Sequence, residues 1–248
     1  MELNKIYNED CYEGIKKIPD KSIDLIVTDP PYEIYSLHRG AGLLKNRGTG
    51  LLKNRGTTYV DEMIALDVGG GINLSILDEF VRVMKKINIY IWCNKEQILD
   101  YLTYFNKLKC NFEIIVWGKP NPAPFVNGHY LKDKEYCLFF WESGVKLFGT
   151  YKTLNTIYTQ KINVEDKKYF EHPTIKPLNI IKNLIINSSQ AGGVILDPFL
   201  GSGTTAVACK ELGRNYIGFE ISPKYYKIAV DRVNGITSTG QTTIFTEF

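Results

Sequence analysis

Apolar and polar positions along the chain alternate between two periods. Short apolar runs of strand length are separated by segments whose apolar residues recur every three or four positions. Ile23 to Thr28 is a buried-strand run that ends at a Pro-Pro turn. Before it, Asp10-Cys11-Tyr12-Glu13 has the Asp-x-x-Glu form of a capping box and opens a short helix that Pro19 closes. Ser75, with Asp78 after it, is placed to cap a second helix. Ile76, Phe80, Val83, Met84 and Ile87 share one face of it. A strand is expected from Ile87 to Cys93, followed by an amphipathic helix carrying Ile98, Leu99, Leu102 and Phe105, then strands at Phe112 to Trp117 and Tyr136 to Trp141.

The rhythm is clearest toward the C-terminus. Pro177 starts a helix with the stripe Leu178, Ile181, Leu184 and Ile185. Val194 to Leu196 is a strand, and Thr204 to Leu212 a helix stopped by Gly213. Tyr216 to Ile221 is another strand, and Ser222-Pro223 supplies an N-cap and an N1 proline for the last helix. Strands alternating with helices predict an α/β fold: a doubly wound, mostly parallel sheet with helices on both faces. In such sheets ligands sit at the carboxyl ends of the strands.

Composition narrows the classes. With 44% hydrophobic and 23% charged residues the chain can build a core, so disorder is excluded for most of its length. No apolar run approaches membrane-spanning length, and the N-terminus lacks a signal-peptide layout, so a cytoplasmic protein is expected. Five cysteines without a Cys-x-x-Cys pair, far from the three histidines, predict reduced thiols and no metal site.

The net charge of +3 is small, but its placement is uneven. Between Glu33 and Val60 stand Arg39, Lys45, Arg47, Lys53 and Arg55 against Glu33 alone, a basic loop suited to a phosphate backbone. Within it the octapeptide Gly42 to Thr49 repeats letter for letter at Gly50 to Thr57, the mark of a local duplication rather than a solenoid. One domain over 1–248 is expected, with this loop inserted at about 33–74 and a target-recognition segment at about 127–170.

Two motifs carry chemistry. Gly201-Ser202-Gly203-Thr204-Thr205-Ala206 lies between a strand and a helix, and Glu220 follows at the end of the next strand, 19 positions after Gly201. That is the layout of a nucleotide-binding turn with an acid for ribose hydroxyls. The turn opens with Asp197-Pro198-Phe199, and a carboxylate there would oppose a pyrophosphate by several kcal/mol. S-adenosylmethionine has no phosphate and carries two cationic groups, so the electrostatics favour it over a nicotinamide dinucleotide.

The second motif, Asp29-Pro30-Pro31-Tyr32, ends the first strand. Two prolines fix the backbone and remove two N–H donors, so the Pro30 carbonyl and Asp29 present two acceptors beside the flat face of Tyr32. Two acceptors suit an exocyclic amine, and a ring suits a stacked base.

On these residues the chain resembles the β-class amino-group DNA methyltransferases, of the adenine-N6, Asp-Pro-Pro-Tyr type. Four pieces match in order: Asn8-x-Asp10-Cys11; Asp29 to Tyr32; His172-Pro173-Thr174-Ile175-Lys176-Pro177; and Asp197 to Thr205, continuing through Gly213 to Glu220. The resemblance implies a Rossmann-like, S-adenosylmethionine-dependent fold with circularly permuted motif order, acting on double-stranded DNA. A homodimer and a cognate restriction endonuclease are its expected partners.

It further implies that Asp29, Pro30, Pro31 and Tyr32 are catalytic, and that Asp10, Cys11, Thr174, Lys176, Asp197, Phe199, Gly201, Ser202, Gly203, Thr204 and Glu220 bind the cofactor. Asp10 would take the cofactor's adenine amine, Asp197 its ammonium, Lys176 its carboxylate and Glu220 its ribose. His172 is expected to be structural. The basic loop residues and Lys119 would contact DNA.

The expected chemistry is direct in-line transfer to the amine of a flipped-out adenine, with no covalent enzyme intermediate and no metal. Cytosine-N4 methylation on the same fold, a nicotinamide-dependent oxidoreductase and a catalytically silent DNA-binding module are the alternatives. Asp at the first position of the second motif, where the cytosine-N4 relatives usually carry Ser, favours adenine.

Overall fold

A computed structural model describes residues 1–32, 71–122, 130–162 and 175–236. The strands are β1 (Lys5–Tyr7), β2 (Leu25–Thr28), β3 (Asn88–Cys93), β4 (Asn111–Gly118), β5 (Lys134–Trp141), β6 (Ile157–Thr159), β7 (Val194–Asp197) and β8 (Asn215–Phe219). The α-helices are α1 (Cys11–Gly14), α2 (Ile76–Val83), α3 (Ile98–Lys107), α4 (Leu178–Ser188), α5 (Thr204–Glu211) and α6 (Pro223–Val233).

Among the described residues the strands form one eight-stranded sheet in the order β1-β8-β7-β2-β3-β5-β4-β6. The run from β1 to β3 is parallel throughout, and β5 enters antiparallel between β3 and β4. Alternating side chains divide the core between the two faces of the sheet. Leu25 and Val27 of β2 pack with α4, α5 and α6, whereas Ile26 packs with α1, α2 and α3. The doubly wound expectation holds, because strands buried on both faces need a helix layer on each.

Register is pinned at the amino ends of β2 and β7. The Asp24 carboxylate accepts from the Val194 amide at 2.9 Å and from Lys85 at 2.8 Å, which aligns Leu25 with Ile195. Buried Asn88 donates to the carbonyls of Asp24 and Ser188, both at 2.9 Å, and so ties β3 to β2 and to α4.

Three local expectations are corrected. The helix expected around Ile98 forms with Phe105 buried and Ile98 and Leu102 packed against the core, but Leu99 is 71% exposed and Tyr101 is buried in its stead. Phe105 stacks on Phe140 at 4.2 Å, and two aromatic side chains bury more area than the aliphatic stripe would. Asp10 caps α1 through the Tyr12 amide, but Glu13 pairs with Lys16 instead of completing a capping box. Ser75 precedes α2 without a side-chain cap, and Asn73 Oδ1 takes the Ser75 amide.

The three-residue strands β1 and β6 are too short for their periodicity to register in the sequence. The expected basic loop at 33–74 lies outside the described residues as far as 70, so Arg39, Lys45, Arg47, Lys53 and Arg55 are outside them too. Of the segment 127–170, residues 134–141 are β5, a strand paired on both sides. No helix among the described residues is long and apolar enough to cross a membrane.

Candidate active site

The sheet order brings the two motifs together. β7 and β2 are parallel neighbours, so Asp197 and the turn after it emerge beside Thr28 and the Asp29 turn, at the same edge of the sheet. Next to β7 lies β8, which ends before Glu220, and next to that β1, which leads to Asp10. Two pieces from each end of the chain thus reach four consecutive carboxyl ends. Asn8 ties two of them by donating to the carbonyls of Glu220 (2.8 Å) and Ile221 (3.1 Å).

The glycine turn is held largely through backbone atoms. Gly201 and Gly203 adopt positive φ of 56° and 85°. A Cβ on Gly203 would stand 2.9 Å from the Ala229 Cβ, so α6 packs where only glycine fits. Glu220 spans the turn: Oε2 accepts from the Gly201 amide and Oε1 from the Ser222 amide, both at 2.8 Å. Burial raises the Glu220 carboxyl, and these amide donors oppose the shift.

Arg232, buried on α6, donates from one nitrogen to the Ser202 carbonyl (2.8 Å), the Ser202 hydroxyl (2.9 Å) and the Thr204 hydroxyl (3.1 Å). Asp197 is buried, and its Oδ1 accepts from the Phe199 amide at 3.1 Å. Burial pushes its carboxyl up to about 7, against the pull of that amide. Cys11 is buried below Asp10, where desolvation raises its thiol and makes it a packing residue.

The Asp29 turn is held by side chains from distant elements. Lys176, just before α4, is 6% exposed and makes an ion pair with Asp29 Oδ2 and a second with Glu135 Oε2 at 3.2 Å. Glu135 lies on β5. Its Oε1 pairs with Lys119, and its Oε2 also accepts from the Tyr32 hydroxyl at 3.2 Å. Lys176 stands 5.4 Å from the centroids of both Tyr32 and Trp92, and Lys119 stands 4.8 Å from Trp117. Gln97, buried at the start of α3, donates to the Pro31 carbonyl at 3.1 Å.

Burial raises the Asp29 carboxyl, Lys176 pulls it down, and the net direction is up. Burial would raise Glu135 as well, but Lys176 and Lys119 hold it down to about 2. Burial would likewise lower Lys176, yet its two carboxylates keep it above the ordinary lysine value. The second oxygen of Asp29, Oδ1, is buried and has no hydrogen-bond partner among the described residues. A buried acceptor left unmade costs about 1–3 kcal/mol, so this atom marks where a donor fits.

Two expectations meet different partners. Lys176, expected to balance a ligand carboxylate, is committed to the carboxylates of Asp29 and Glu135, because its position before α4 sets it over the ends of β2 and β5. Lys119, expected on DNA, turns inward at 12% exposure to pair with Glu135. Thr174 and His172 lie outside the described residues. Glu135, Gln97, Trp92 and Arg232 escaped the sequence reading, since each sits in an ordinary strand or helix pattern. The one available signal was a lone acid at the head of an otherwise apolar strand.

The residues fit S-adenosylmethionine. Buried Asp197, bridging Glu220 and the Asp10 cap give three acids at neighbouring strand ends beside a turn that glycines keep open, an acceptor set suited to a cationic nucleoside.

Comparison with known proteins agrees. Residues 23–231 match the DNA methylase family of N6/N4 methyltransferases. The chain is 29% identical to the type II methyltransferase M2.LlaDCHI of Lactococcus lactis subsp. cremoris, over 92% of this chain and 88% of that one. It is 30% identical to the type II methyltransferase M.HinfI of Haemophilus influenzae, over 94% and 69%. Its fold superposes on the M1.HpyAVI–SAM complex with a TM-score of 0.64 at 23% identity, over 93% and 98% of the two chains. On PvuII DNA methyltransferase, named as cytosine-N4-specific, the TM-score is 0.66 at 18% identity, over 94% and 86%. The motifs meeting at one sheet edge and the match over most of the length lead to one conclusion: the chain belongs to the S-adenosylmethionine-dependent, amino-group DNA methylase family.

Proposed function

We propose that the chain methylates the N6 amine of adenine in double-stranded DNA, with the base flipped out of the helix. The observation that carries the reading is the unpaired, buried Oδ1 of Asp29 beside the Pro-Pro turn. An adenine amine is a weak nucleophile because its lone pair is delocalised into the ring. A carboxylate of ordinary pKa does not remove its proton beforehand. Asp29 Oδ1 accepts one amine hydrogen and the Pro30 carbonyl the other, which favours a pyramidal nitrogen with a localised lone pair.

Tyr32 has Lys176 over its ring and its hydroxyl on Glu135, and the opposite ring face is the one offered to a base. S-adenosylmethionine, when bound, supplies an electrophilic methyl group on a sulfonium. Gly201, Ser202, Gly203 and Thr204 would let its amino-acid part approach the backbone, Asp197 would hold its ammonium, and Glu220 and Asp10 would hold its nucleoside. Asp29, raised by burial, takes the proton that the methylated nitrogen releases. Flipping costs a few kcal/mol, which contacts to the DNA strands must offset. In this reading the enzyme acts in a restriction–modification setting, with a cognate restriction endonuclease and a second copy of the chain as partners.

The likeness in fold to a cytosine-N4-specific enzyme supports a second reading on the same geometry, because the cytosine amine presents the same two hydrogens. Incubation of unmethylated genomic DNA with the protein and cofactor, then nucleoside digestion and mass spectrometry, separates the two. N6-methyladenine is the expected product. N4-methylcytosine alone would transfer the proposal to cytosine.

A further inference from the structure

Glu135 holds three partners near the amine turn and touches none of the reacting groups of the proposed methyl transfer. One oxygen takes Lys119, and the other takes both Lys176 and the Tyr32 hydroxyl. It stands on β5, which no motif marks and which reaches the turn only because β5 pairs with β3 beside β2. Without Glu135, Lys176 would have Asp29 as its remaining carboxylate, and the Tyr32 hydroxyl would turn from Glu135 to Asp29, which also faces it.

We propose that Glu135 is a positioning residue for the amine-methylation step: by sharing Lys176 with Asp29 and anchoring the Tyr32 hydroxyl, it keeps Asp29 Oδ1 a competent acceptor and holds the ring for the base. The inference rests on the methyltransferase reading given above.

Several titratable groups act on Asp29 from the surrounding elements. Lys176 precedes α4, Glu135 and Cys137 lie on β5, Tyr32 is in the turn, Cys93 is on β3, Tyr101 on α3 and Asp197 on β7. Burial keeps Cys93, Cys137, Tyr101 and Tyr32 protonated, pushing Cys93 up to about 12 and raising the others above their ordinary values. Lys176, Glu135 and Asp197 therefore set the field that Asp29 feels. Glu135 opposes Lys176 there, so loss of its charge makes Asp29 a weaker base.

The test is steady-state methylation of unmethylated genomic DNA by the full chain carrying Glu135→Gln, with folding checked by circular dichroism. The expected result is a kcat lowered by at least about tenfold, since misplacing a catalytic group by about 1 Å can cost about 100-fold, and a KM for S-adenosylmethionine within about twofold of wild type. The acidic limb of the kcat–pH profile should move to lower pH, a shift that loss of packing alone would not give.

Glu135→Asp keeps the charge but shortens the reach. It should hold the limb in place and lower kcat severalfold, and it provides the reading if the glutamine variant does not fold. Wild-type kcat with an unmoved acidic limb in whichever variant folds would overturn the inference. Absence of methyl transfer by the unsubstituted chain would instead sink the underlying function.

Discussion

The two turns that meet at the sheet edge are stiffened in opposite ways. The glycine turn is braced close at hand. Its donors and acceptors are largely backbone atoms, its conformation is set by two left-handed glycines, and its clamps, Glu220 and Arg232, lie on β8's end and on the next helix. The Asp29 turn is braced from afar, by Lys176 before α4, Glu135 on β5, Lys119 after β4 and Gln97 on α3. A loop that binds through its backbone needs a conformation, which local sequence can encode. A turn that places a charged acceptor needs a field, which only side chains gathered from several strands can supply.

That contrast can be broken experimentally, starting at the Asp29 side. Asp29→Ala should abolish methylation while leaving the affinity for S-adenosylmethionine within severalfold, as equilibrium titration would show. Retained activity would remove the distinction between an acceptor turn and a cofactor turn. Gly203→Ala should do the reverse. Positive φ and the Ala229 contact together impose strain of about 1–3 kcal/mol, so cofactor affinity should fall on the order of tenfold or more. Under saturating cofactor, kcat should then recover most of its value.

A third test uses pH. Burial places the Asp197 carboxyl at about 7, so its charge is still forming as pH rises through neutrality. Cofactor affinity should therefore increase severalfold between pH 6 and pH 8, and Asp197→Asn should flatten the curve. The stability linkage has the opposite sign. A carboxyl whose folded pKa is raised favours the native state at low pH, and that advantage is lost as pH rises from its unfolded value near 4 toward 7. The asparagine variant should lose this slope in thermal unfolding. The smallest effect is expected from Gln97→Ala, which removes one hydrogen bond to the Pro31 carbonyl, about 1 kcal/mol. It should lower kcat a few-fold and leave cofactor titration unchanged.

How far the site can be read in the chain follows the same division. Asp197, Gly201, Gly203 and Glu220 stand in one stretch of strand, turn, helix and strand, where spacing alone implies their shared location. Asp29 to Tyr32 is legible as a rigid turn offering acceptors, and its company is not. Lys176 looks like a partner for a ligand's carboxylate, but its observed partners are the protein's own. Lys119, with basic residues elsewhere in the chain, suggests a DNA contact until β4 and β5 pair and turn it against Glu135.

Periodicity, turn chemistry and motif order are local properties, and from them the sequence by itself determined the α/β class, the two-faced burial of the strands and the chemistry available at each strand end. The tertiary structure alone decided which strands are neighbours, and hence that β5 brings Glu135 and Lys176 to the same carboxylate. The reason is physical. A charge's partner and the pKa that results depend on distances of a few ångströms between residues on different strands and helices, well separated in the chain, and no local pattern carries that distance.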